Sequence, residues 1–95
     1  MRSVGKLPER VAIVGQGYVG LALALRAVEV GHTVVGFEVD ESRVELLAAG
    51  TSYVEDVPSE RLARALATGR YHPSSDHGSL AVFDVAVITV QTPLR

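Results

Sequence analysis

Val11-Ala12-Ile13-Val14-Gly15-Gln16-Gly17-Tyr18-Val19-Gly20-Leu21-Ala22-Leu23-Ala24-Leu25 is the stretch that decides the fold. The apolar run Val11 to Val14 reads as a strand and the Leu/Ala-rich run from Leu21 as a helix. Between them lies a glycine-rich turn with GxGxxG spacing, Gly15, Gly17 and Gly20. The first glycine permits the tight turn, the second lets backbone approach a pyrophosphate, and the third lets helix and strand pack closely. Backbone N–H groups at the start of the helix then face an anion. The same glycines could make a plain tight turn without a ligand, so the weight rests on the flanking strand, the helix, the spacing and the acid Glu38.

Working outward, the first helix is expected from about Tyr18 to Val30, with Gly31 where a left-handed capping residue belongs. Its near-continuous apolarity predicts burial on more than one side. His32 to Glu38 is a short β-branched run suited to a buried parallel strand. Asp40 caps a second helix, Glu41 to Ala49, closed by Gly50. Residues 51–58 form a loop, after which Ser59 is expected to cap a helix through Thr68 that leaves Arg61 and Arg64 in solvent. Arg70 to Ser74 reads as an edge strand because of Pro73, and residues 75–80 as one helical turn. Asp84 to Val90 is another apolar run of the fully buried parallel type. Strand and helix in alternation predict an α/β, Rossmann-type parallel sheet, ordered 3-2-1-4 with flanking helices and truncated after strand four. The domain spans residues 10–95, and residues 1–9 form a flexible leader.

Composition narrows the function. Ninety-five residues bound the chain to one small domain or a piece of one, too short for a complete two-substrate enzyme. A net charge of -2 supplies no basic field for nucleic acid. No run approaches the ~20 apolar residues of a membrane span and no signal peptide is evident, which predicts a cytoplasmic protein without a membrane partner. The absence of cysteine removes disulfides, cysteine-ligated metals and thiol nucleophiles.

Glu38 lies 18 residues after Gly20, at the end of the second strand, where an acid accepts hydrogen bonds from the adenosine ribose and repels a 2′-phosphate. NAD is therefore favoured over NADP, unless Arg43, close by in sequence, compensates that charge. Arg43 is read equally as a cofactor contact and as a solvated residue of the helix's first turn. Tyr18 packs along the cleft, while Tyr53 and Tyr71 are loop anchors. Thr92, past the carboxyl end of strand four, reaches the crevice where the topology reverses, or else is a turn residue before Pro93. His32, His72 and His77 are too scattered for a metal site. Flavins use a similar turn, so the glycines alone leave that cofactor open.

Residues 11–21, Gly36-Phe37-Glu38-Val39-Asp40 and Val90-Gln91-Thr92-Pro93 together resemble the NAD-binding domain of the UDP-glucose/GDP-mannose dehydrogenase family. The resemblance implies oxidation of a nucleotide sugar at C6, from alcohol to carboxylate, with two NAD⁺ reduced. It implies that Gly15, Gly17, Tyr18, Val19 and Gly20 line the pyrophosphate, that Glu38 holds the ribose, that Arg43 lies near the adenosine end and that Thr92 contacts the cofactor. Glu55 fits an acidic position of the family and receives no role. Ala22, Gln91 and Glu38 depart from the family's usual proline, proline and aspartate. The catalytic cysteine, its lysine and aspartate partners and the sugar-binding part are expected beyond Arg95. This chain is therefore expected to hold no catalytic residue and to meet nucleotide sugar only through those missing domains. Two alternatives stand beside this reading. One is a stand-alone nucleotide-binding or assembly module forming homo-oligomers through an exposed strand-four edge; the other is a fragment of a β-hydroxyacid-type dehydrogenase.

Overall fold

The computed structural model describes residues 10–81 and 83–89. The leader and Thr92 lie outside these residues. In chain order the elements are β1 (Arg10–Val14), α1 (Tyr18–Glu29), β2 (Thr33–Phe37), α2 (Glu41–Ala48), α3 (Ser59–Ala67), β3 (Tyr71–Ser74), a 3₁₀ turn (His77–Ala81) and β4 (Val85–Ile88). They form one parallel sheet in the order β3-β2-β1-β4, with Val11 opposite Val34 and Val85, and Val34 opposite Tyr71.

The register fixes which residues share a face, because side chains alternate along a strand. Val11, Ile13, Val34 and Tyr71 fall on one face and join Leu21, Ala24, Leu25 and Val28 of α1, Leu47 of α2, Val54 and Val57 of the loop, and Leu62 and Ala65 of α3 in the core. The connections from β1 to β3 step in one direction and so keep α1, α2 and α3 on that face. From β3 the chain must return past β2 and β1 to reach β4. It does so across the opposite face, where the His77 ring meets Phe37 at 5.1 Å between centroids. The sheet order thus reverses between β1 and β4, and the crevice at the carboxyl ends of these strands is where such sheets take ligands.

Several local expectations are corrected. Helix α1 buries one face only: Val19, Leu23 and the C-cap residue Val30 are exposed, because only its core side meets the sheet and α3. Pro58, not Ser59, is the N-cap of α3, and the Ser59 hydroxyl instead accepts from the Ser52 N–H at 3.0 Å. Arg61 is not free in solvent, since its Nε donates to Glu29 at 2.6 Å and ties α3 to α1. Strand β4 is not fully buried: Val85 is 40% and Ile88 69% exposed, because β1 alone flanks it among the described residues.

Candidate functional site

The turn after β1 is shaped by sterics at two glycines. Gly15 has φ +96°, a left-handed conformation disfavoured for any residue with a Cβ. A Cβ there would also sit 2.8 Å from Thr89 Oγ1, and one on Gly20 would collide with the Gly15 carbonyl. The last glycine therefore lets α1 start directly against the turn. The first helical bond runs from the Leu21 N–H to the Gly17 carbonyl at 2.9 Å. Earlier N–H groups of the helix start have no preceding helical carbonyl and remain donors for a ligand.

Glu38 is 7% exposed and aims its carboxylate back at this turn. One oxygen accepts from the Gln16 N–H at 3.0 Å and the other from the Asp40 N–H at 3.2 Å. A carboxylate has about four acceptor positions, so two remain for hydroxyl donors. The Arg43 guanidinium stands 4.0 Å from Glu38 and 5.0 Å from the centre of the Tyr53 ring. It is thus a wall of the site rather than a freely solvated first-turn residue. Asp40 is the cap it was expected to be, accepting from the Ser42 and Arg43 N–H groups. Hydrogen bonds, that from the Ser42 hydroxyl first among them, hold its carboxyl below the ordinary aspartate range.

Gly15, Gly17, Tyr18, Val19, Gly20, Glu38, Arg43 and Thr89 line one open cleft of about 220 Å³. Seven of the eight residues expected from the sequence come together there; the eighth, Thr92, lies outside the described residues.

Three contributors were not visible in the sequence: Thr89, Gln16 and Tyr71. The Thr89 hydroxyl bonds the Val14 and Gly15 carbonyls at 3.0 and 2.9 Å, fastening β4 to the turn. Gln16, an open position in the GxGxxG pattern, has no exposed surface. Its amide nitrogen donates to the Ile13 and Gly15 carbonyls, and its amide oxygen accepts from the Tyr71 hydroxyl at 2.6 Å. Tyr71 is consequently a strand residue holding the turn, not a loop anchor, and burial pushes its phenol well above the ordinary tyrosine range. Tyr53 does anchor its loop, donating to the Gln16 carbonyl at 2.6 Å. Burial and the nearby Glu38 charge push its phenol up to about 12. The one sequence signal for Gln16 was Gly36, whose missing side chain leaves room for the glutamine: a Cβ there would lie 2.8 Å from Gln16 Cδ and 2.9 Å from Tyr71 Cε1.

Known proteins resemble this chain in sequence and fold. GDP-mannose 6-dehydrogenase of Pseudomonas syringae pv. tomato is 35% identical over 88 residues, covering 90% of this chain and 20% of that protein. The structure of a UDP-glucose dehydrogenase from the hyperthermophilic archaeon Pyrobaculum islandicum superposes with a TM-score of 0.84 at 34% identity, over 95% of this chain and 21% of that one. A GDP-mannose dehydrogenase from Pseudomonas aeruginosa, solved as a ternary complex, gives 0.82 at 33% identity, over 90% and 20%. The chain thus spans about a fifth of the length of the curated relatives it matches. The match to the model of the UDP-glucose/GDP-mannose dehydrogenase family, NAD binding domain, runs over residues 9–95. With its four-stranded parallel sheet and glycine-lined crevice, the chain belongs to that family and corresponds to its NAD binding domain.

Proposed function

We propose that the cleft holds the adenosine and pyrophosphate of NAD, and that the chain is the cofactor-binding portion of a nucleotide-sugar 6-dehydrogenase. Such an enzyme oxidises the C6 alcohol of a UDP- or GDP-sugar to the carboxylate with two NAD⁺, in the cytoplasm, and its product serves polysaccharide biosynthesis. When bound, NAD supplies the hydride acceptor; this chain supplies orientation and charge. The observation that carries the reading is a buried carboxylate, Glu38, in one cleft with the open N–H groups of a helix start. Glu38 keeps acceptor capacity for two ribose hydroxyls, and the glycines leave the space that a pyrophosphate needs. Arg43 is already engaged by Glu38 and the Tyr53 ring, which favours a ribose without a 2′-phosphate.

Calorimetric titration of the chain with NAD⁺, NADP⁺ and ADP tests this. NAD⁺ and ADP are expected to bind, with NADP⁺ weaker by at least about tenfold because its 2′-phosphate meets Glu38. Binding of none of the three contradicts the proposal. Homo-oligomer formation through β4 belongs instead to the alternative of a stand-alone module, supported by the exposed Val85 and Ile88, and a monodisperse monomer on size-exclusion chromatography would argue against it.

A further inference from the structure

The Gln16–Gly17 peptide is the part of the turn that should face the pyrophosphate, and its carbonyl is held from outside the turn. We infer that Tyr53 is a positioning residue for anion binding: through its hydroxyl it clamps the Gln16 carbonyl and thereby aims the Gly17 N–H into the cleft. The inference rests on the proposed NAD-binding role of the cleft and extends it to a residue that does not line it.

Peptide geometry carries the inference. The described peptide bonds are trans, so the Gly17 N–H points opposite to the Gln16 C=O. Tyr53 Oη sits 2.6 Å from that carbonyl oxygen, and Gly17 lines the cleft. The preceding peptide is fixed independently. Its N–H donates to Glu38, and its carbonyl accepts from Gln16 Nε2 at 3.1 Å and from the Thr89 hydroxyl. The Gln16–Gly17 plane is therefore the one whose orientation depends on Tyr53. A donor on the carbonyl also polarises the amide, which strengthens its N–H toward an anion. The Tyr53 ring meanwhile carries the Arg43 guanidinium, so one side chain braces both the pyrophosphate end and the ribose end of the site.

Tyr53→Phe removes the hydroxyl and keeps the ring beneath Arg43, whereas Tyr53→Leu removes both. Two readouts decide the question in the full chain: calorimetric affinities for NAD⁺, ADP and adenosine, and the backbone amide resonances of Gln16 and Gly17. Y53F is expected to weaken NAD⁺ and ADP about three- to tenfold. Adenosine, which lacks the pyrophosphate, should be unaffected, and the Gly17 amide should move more than that of Gln16. Y53L should weaken adenosine as well. Wild-type affinity of Y53F for NAD⁺, or an equal loss toward adenosine, overturns the inference while leaving the proposed function standing. Failure of the unaltered chain to bind NAD⁺ contradicts that function instead. Should Y53F not fold, the unaltered chain still decides: a slowly exchanging Tyr53 hydroxyl proton supports the clamp, and a freely exchanging one overturns it.

Discussion

Gln16 sits where the glycine pattern places no demand, yet its side chain and both its backbone groups are bonded. Gln16→Leu would strand the buried Tyr71 hydroxyl without its acceptor, which should cost about 1–3 kcal/mol in urea unfolding. Adding Tyr71→Phe removes the stranded group, so the double variant should recover part of that loss; strict additivity would show that the two residues act separately. Gly36→Ala drives a methyl into the same glutamine, and a loss of about 1–3 kcal/mol by the same measurement is expected from overpacking. At this scale the sequence was legible where a residue acts through its backbone or charge. Gly15 and Gly20 could be read because the tight turn and the close packing each demand glycine at a fixed spacing, and Glu38 because the end of the second strand faces that same turn. Gln16 and Tyr71 are 55 residues apart and meet only once β3 has paired with β2. No local pattern contains that contact.

Among the elements, helix stops and strands followed their sequence signals closely, while exposure did not. Gly31, Gly50 and Gly69 follow their helices as expected because backbone conformation is a local property. Which face of α1 or β4 is covered depends on neighbours, and neither the exposed stripe of α1 nor the exposed β4 was visible in apolar runs alone. Local capping is open to direct test: Asp40→Ala removes the acceptor for two N–H groups of α2 and should lower the urea midpoint. Between α1 and α3, the Arg61 guanidinium hydrogen-bonds Glu29 and holds its carboxyl below the ordinary range. A lowered carboxyl pKa contributes stability above the unfolded value and loses it as pH falls through the folded one. Acid unfolding should therefore begin at higher pH in Arg61→Ala than in the unaltered chain, by a small margin because the pair is partly solvated.

For the whole molecule, the turn, β2, β3 and β4 are joined through polar groups around one crevice, and two of its tyrosines have raised pKa values. A raised tyrosine pKa gives stability that is fully present below the unfolded value of 10.0 and is lost as pH rises through the folded one. The chain should accordingly lose stability between pH 10 and about 12, and Tyr53→Phe should flatten part of that decline in thermal melts. The overall topology was legible from the sequence because alternating strands and helices with right-handed crossovers leave few arrangements. The role proposed for this crevice is to bind NAD through the Gly15–Gly20 turn and Glu38. It is tested most directly by following all backbone amides by NMR as NAD⁺ is added. The largest shifts are expected on Gly17, Tyr18, Val19 and Gly20 and on the amides beside Glu38; shifts centred elsewhere, or none, would contradict that role.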